Sequence, residues 1–290
     1  MIPVILKIGP FSVSTIGFWL FLAFLAGFFV LFKKSKDEHL SEELAFDIAF
    51  YSLFFAFITS RLFFVLFSND LTRNFYSYIS IFSKPGLSFW GTGIGVIFVL
   101  VWQANKNKLD FYKLADIFVF PLIIFQFFSA WGLYLDGSYQ GREASMILPG
   151  GQVHFHHFVI LYESVILFGL YCLMHKLNNE YRTFSWYKGR KGEAKPGFLL
   201  LAFLILMSLS RLLLAVFKTY PLYLRNIDIA LSFFVFVGGI FLFYLRSGIG
   251  ENTRQVLMKR ISFSLPELSS HLTMTKRKSK NKFKAGKDAV

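Results

Sequence analysis

FFAFITSRLFFVLF (residues 54–67) and LLLAFLILMSLSRLLLAVF (residues 199–217) are apolar except for small hydroxyl side chains and one arginine each, Arg61 and Arg211. A run of about 20 mostly apolar residues is what a helix needs to cross the hydrocarbon core of a bilayer. A guanidinium inside such a run costs roughly 2.5–3.5 kcal/mol on insertion scales, so the fold has to give it a counter-anion or a wet cavity. Both arginines are therefore candidate functional residues.

The rest of the chain repeats the pattern. Hydrophobic residues make up 55% and aromatic residues 20%, with 39 phenylalanines, a composition that excludes an ordinary soluble domain. Apolar stretches fall at 11–33, 43–67, 87–104, 111–135, 157–175, 197–217 and 227–245. They predict an all-α membrane protein of seven transmembrane helices, with one domain over 1–246. The first stretch leads straight into further spans and reads as a retained helix rather than a cleaved signal.

Orientation follows from lysine and arginine, which accumulate in short cytoplasmic loops. With the N-terminus outside and the C-terminus in the cytoplasm, the inner segments hold 23 of the 31 basic residues and the outer segments six, Arg61 and Arg211 being the other two. The segment 247–290 loses hydrophobic periodicity and carries ten basic and three acidic residues, half of the chain's net charge of +14. It reads as a disordered cytoplasmic tail that adheres to anionic lipid or is simply solvated. Nucleic acid is not an expected partner. The single cysteine, Cys172, lies mid-span and excludes both an internal disulfide and a cysteine-built zinc site.

With this topology, Arg61 and Arg211 lie at similar height in the outer leaflet. Glu163 is less than two turns into the fifth helix, and Trp90 begins the third. Asp136, Arg142 and the histidines His154, His156 and His157 belong to the outer loop between helices four and five, whereas Asp47 and Asp116 lie near inner ends. Unusual chemistry thus gathers at one face, which speaks against a transporter, whose polar residues line a path through the midplane. Guanidinium groups bind phosphate bidentately and stay charged when desolvated, so a phospholipid headgroup suits the cluster. Arg61 or Arg211 pairing with Glu163, to lock three helices together, is the plainer alternative. The sequence HFHH, without a second carboxylate cluster, is a weak metal signal, and neither a metal nor a cofactor is expected.

Ordered motifs now become visible: Ile8-Gly9-Pro10 with Gly17; Arg61 followed by Phe64, Val65, Leu66, Phe67 and Asn69; Gly86, Ser88, Phe89, Trp90, Gly91 and Thr92; Asp116 with Pro121 and Leu122; Gly132, Gly137, Gly141 and Arg142; His157 with Leu161, Tyr162 and Glu163; and Pro196-Gly197 ahead of Arg211. In order and spacing, from about residue 5 to 245, the chain resembles the prolipoprotein diacylglyceryl transferase family of bacterial inner-membrane enzymes. The resemblance implies transfer of diacylglycerol from phosphatidylglycerol to the lipobox cysteine thiol of an exported prolipoprotein, with glycerol phosphate released at the outer face. It implies Arg142 and Arg211 as headgroup or leaving-phosphate binders, Arg61 as a supporting cation, His157 as a proton acceptor, and Glu163 as the anion that orients them. Membrane lipids and lipobox peptides would be the partners, entering sideways through a groove between helices.

Several family positions differ. Trp90 stands where the family has a histidine, and an indole donates a hydrogen bond but carries no proton. The family's R-x-G-N reads Ala130, Trp131, Gly132, Leu133, and its N-G-E reads Asp136, Gly137, Ser138. Ile16 replaces a tyrosine, Ala215 a glutamate one turn beyond the helix-six arginine, and Ile229 a glutamine. Removing one preorganised donor costs about 10²–10³ in rate, so the alternative implied is a catalytically impaired relative that binds phospholipid or lipoprotein.

Overall fold

The computed structural model describes residues 4–8, 11–67, 86–137, 141–148, 151–180, 195–219 and 222–247. Asn69, Ser138, the Gly9-Pro10 pair and the basic tail beyond Ser247 lie outside them, as does the side chain of His154. Seven helices are present among the described residues: α1 Thr15–Asp37, α2 Glu42–Phe67, α3 Phe89–Lys106, α4 Phe111–Asp136, α5 Val159–Glu180, α6 Phe198–Leu214 and α7 Leu222–Ser247. Each coincides with one predicted apolar stretch to within a few residues.

Five of the seven, α1, α2, α4, α5 and the Arg225–Ser247 part of α7, are long and apolar enough to cross a membrane. The α6 helix is shorter, at 17 residues, and α3 ends in the polar turn Gln103-Ala104-Asn105-Lys106. Their outer surfaces are apolar, with Phe29, Phe54, Phe168 and Phe234 all largely exposed. In water such a surface would drive aggregation; in lipid it is the expected covering.

Two short antiparallel hairpins were not expected from an all-α reading. Strands β1 (Val4–Ile8) and β2 (Phe11–Ser14) pair ahead of α1, and β3 (Glu143–Leu148) pairs with β4 (Gly151–His156) between α4 and α5. The apolar stretch starting at 11 is therefore strand as far as Ser14, whose hydroxyl accepts from the Gly17 N–H at 3.2 Å and starts the helix there. His157, expected as the first residue of helix five, sits two residues ahead of α5.

The axis of the bundle is α4: 56% of its apolar window is buried, against 17–33% in the other spanning helices. It packs against α1 on one side and α5 on the other, while α2 lies along α3 and α6 along α7. One buried cluster joins α4, α5 and α6 through Phe120, Leu167, Met174 and Phe203; a second joins α1, α2, α3 and α4 through Leu31, Ile48, Val96 and Phe118. Pro121 lies inside α4, and Gly27 of α1 sits so close to its carbonyl that a Cβ there would fall 3.3 Å away.

The opposite end of the bundle from the arginine-bearing region is tied by Asp116. Its carboxylate accepts from the N–H groups of Gly197 (2.6 Å) and Leu200 (2.8 Å) and so caps the start of α6. Gly197 has φ +100°, a backbone conformation that favours glycine. Arg246 donates to the Pro196 carbonyl at 2.7 Å and lies 3.6 Å over the Tyr112 ring, which fastens the end of α7 to α4 and α6.

Candidate functional site

The predicted site residues lie at one end of the bundle, where α2 and α6 end and α3, α5 and α7 begin. Arg61, only 4% exposed, donates from Nη1 to the Gly86 carbonyl at 3.1 Å and stands over the Phe64 ring. Beside it the Ser60 hydroxyl donates to Ser88 O at 2.8 Å, the Ser88 N–H returns to Ser60 O at 3.3 Å, and the Thr59 hydroxyl donates to Gly91 O at 2.7 Å. The contact is this close because Gly86, Gly91 and Gly95 have no side chains; a Cβ at Gly91 would meet Thr59 O at 2.6 Å and Ser60 Cα at 2.7 Å. These bonds fix the start of α3 on the end of α2, and with it Phe89 and Trp90.

Arg211 lies against both rings. Its guanidinium stands 3.9 Å over the centroid of Phe89 and 5.8 Å from that of Trp90, a favourable placement of a cation on aromatic faces. Its Nε and Nη2 donate to Asp228 Oδ1 of α7 at 3.2 and 2.9 Å, and the Trp90 indole donates to the same oxygen at 2.8 Å. The pair is largely buried, with side-chain exposures of 10% and 12%.

Glu163 was expected to orient the arginines. It forms an ion pair with Lys218, just past α6: Nζ lies 3.2 Å from Glu163 Oε2, with the side chains only 4% and 7% exposed. Gln126 of α4, one turn from Ala130, donates to Glu163 Oε1 at 3.1 Å. Lys218 is carried to the head of α5 by the pairing of its backbone with Gly141. Burial holds the Lys218 ammonium below the ordinary lysine range; Glu163 opposes this, and nearby Arg211 adds to it. The two ion pairs thus form one charged network.

Arg142 joins this region through its backbone. Its N–H donates to Phe217 O at 2.7 Å and its carbonyl accepts from the His157 N–H at 3.1 Å, while its side chain is exposed. Gly141 is so tightly set against the His157 carbonyl that a side chain there would collide with it. The His157 ring packs among Phe155, Tyr162 and Phe217, and its Nδ1 is buried with no hydrogen-bond partner among the described residues. His156 faces Glu143 at 3.4 Å on the exposed hairpin. Among the described residues no three His, Cys, Asp or Glu side chains converge to hold a metal.

Sequence reasoning missed Asp228, Lys218 and Gln126. Each carries a weak signal, an ionisable or amide side chain at or inside an apolar stretch, but Asp228 and Lys218 fall near span ends, where charges are ordinary. Below the polar network, an apolar cavity of about 80 Å³ opens among α1, α2, α3 and α4, lined by residues including Phe24, Gly27, Ala56, Thr92 and Phe125.

The family model for prolipoprotein diacylglyceryl transferase matches residues 3–245. The chain is 24% identical over 245 residues to a phosphatidylglycerol–prolipoprotein diacylglyceryl transferase of Clostridium perfringens, covering 79% of this chain and 88% of that one. It is 25% identical over 158 residues to the enzyme of that name from Listeria innocua, covering 54% and 57% of the two chains. For the Staphylococcus aureus strain Newman protein of the same name, identity is 28% over 169 residues, covering 58% and 60%. The chain spans less than two thirds of the length of the Listeria and Staphylococcus relatives. Since the family match runs through all seven helices and includes Arg61, Arg211 and Glu163, the chain belongs to the prolipoprotein diacylglyceryl transferase family.

Proposed function

We propose that this chain is a multi-pass enzyme of the bacterial inner membrane that transfers the diacylglyceryl group of phosphatidylglycerol to the lipobox cysteine of prolipoproteins. The observation that carries the reading is the buried charged network of Arg211, Asp228, Lys218 and Glu163, which lies inside the family match. In the reaction, the cysteine sulfur forms a bond to the carbon of the diacylglyceryl glycerol that carries the phosphate ester. The bond from that carbon to the phosphate ester oxygen breaks, and its electron pair departs on glycerol phosphate. Thiolate is the competent nucleophile, so the thiol proton has to be taken up. His157 is the acceptor in this reading; its unpartnered Nδ1 among the described residues supports that role.

Charge grows on the phosphate oxygens as the ester bond breaks, and fixed cations in a water-poor site stabilise it. Arg211 supplies one and Arg142, at the rim, the second. Arg61 supports from behind by holding Gly86 and the start of α3. Glu163 keeps Lys218 at the head of α5. All seven helices cross the membrane, with the N-terminus outside and the C-terminus in the cytoplasm; the excess of lysine and arginine in the inner loops supports this. Residues 247–290 then form a cytoplasmic basic tail.

The test is reconstitution of the full chain in vesicles containing phosphatidylglycerol, together with a lipobox peptide. A thioether-linked diacylglyceryl peptide is expected, identified by its mass. No product under conditions where an unsubstituted family member works would overturn the reading and favour a lipid-binding relative.

A further inference from the structure

The guanidinium of Arg211 is fixed twice over. Its Nε/Nη2 edge is taken by Asp228 Oδ1 and one face rests on Phe89. An edge and a face together define the plane and direction of a guanidinium. Asp228 is in turn fixed by the Trp90 indole, whose N–H reaches the same oxygen from α3. Trp90 itself is set by the close seat of α3 on α2, through Thr59, Ser60 and Arg61. Four helices therefore determine where one cation points, and the carboxylate at the centre comes from α7. The side chain four residues after Arg211 on its own helix, where an i, i+4 partner would sit, is Ala215.

We propose that Asp228 is a positioning residue for Arg211, that the Trp90 indole holds Asp228 in place, and that this set aims Arg211 at the phosphate of the lipid substrate. The inference rests on the transferase reading. It gives Trp90 a task suited to its chemistry: an indole is a donor only, and a donor is what a carboxylate already bound to arginine accepts. Asp228 and Trp90 act through Arg211 and do not exchange a proton with substrate.

The experiment uses the full chain in phosphatidylglycerol vesicles, with kcat and KM for the lipid measured separately and thermal unfolding followed in parallel. Asp228→Asn keeps size and an acceptor oxygen but removes the charge; it should lower kcat about a hundredfold, the loss expected when a reacting partner is misplaced by about 1 Å, with KM changed far less. Trp90→Phe keeps an aromatic ring but removes the N–H together with the pyrrole ring that carries it, and should lower kcat about threefold to tenfold, the worth of one hydrogen bond. Because both act on one oxygen, the double variant should be no slower than Asp228→Asn alone. Multiplying effects, or an Asp228→Asn enzyme with wild-type kcat and only a lower unfolding temperature, would overturn the proposal. If wild type makes no product, the transferase reading fails by itself. Binding of phosphatidylglycerol then decides: Arg211→Ala and Asp228→Asn should both weaken it, whereas undiminished binding by Asp228→Asn would refute the positioning role.

Discussion

A lysine and a glutamate withdrawn together from water stabilise each other only as a pair. The Coulombic gain of the Lys218–Glu163 contact is set against two desolvation penalties, so the pair as a whole is weak evidence for stability, but removing one partner leaves a buried charge uncompensated. Lys218→Met is accordingly expected to destabilise by about 3–5 kcal/mol, measured by thermal unfolding in detergent, and the double variant Lys218→Met/Glu163→Leu should recover most of the loss. Equal stability of wild type and single variant would show that the pair is not desolvated. Arg142 offers a contrasting test: its backbone is bonded on both sides but its side chain is exposed, so Arg142→Ala should leave unfolding unchanged while lowering turnover by about 10²–10³, as for loss of a cation facing developing charge. Full activity of that variant would remove Arg142 from the phosphate site. Arg61, Arg211 and Glu163 were legible in the sequence because each is ionisable within an apolar run. Their partners were not, because Asp228 is 17 residues from Arg211 and Lys218 is 55 from Glu163, and only packing brings them together.

Helices α2 and α3 approach each other through glycines rather than through large side chains, and this governs both their stability and the placement of Trp90. At Gly91 the nearest atom is the Thr59 carbonyl oxygen, with Ser60 Cα and Phe63 Cβ just beyond it, and the α2 backbone cannot swing aside as the end of a side chain could. Gly91→Val should therefore push the two helices apart, at a cost of about 1–3 kcal/mol for overpacking. It should also reduce transfer by more than that instability explains, since the Trp90 indole would leave Asp228. Activity of the folded fraction equal to wild type would show that the Trp90 contact does not matter. The seven helices could be read in advance because each is a long apolar run, five of them long and apolar enough to cross a membrane. The hairpins were missed although both carry a polar–apolar alternation, Phe11-Ser12-Val13-Ser14 and Gln152-Val153-His154-Phe155-His156; the first adjoins α1, so a wide hydropathy window merges it with the helix.

For the whole molecule, placing the site at the outer face depends on orientation, and orientation rests on charges in the loops rather than on any contact within the bundle. The same helices packed in the same way could be inserted either way up; what distinguishes the two is that the end of α1 (Lys33, Lys34, Lys36), the α3–α4 end (Lys106, Lys108) and the segment after α5 carry lysine and arginine, whereas the segment joining α4 to α5 carries one, Arg142. That hairpin also holds Glu143, which is exposed, and Lys108 in the α3–α4 turn is exposed too. The chain has a single cysteine, Cys172, so a Cys172→Ser background makes labelling unambiguous. In intact cells a membrane-impermeant maleimide is expected to label Glu143→Cys and not Lys108→Cys, and both should react once the membrane is opened. The reverse pattern would put Arg211, Asp228, Lys218 and Glu163 at the cytoplasmic face. An exported prolipoprotein could not then present its thiol to them, so the transferase reading would fall with the orientation.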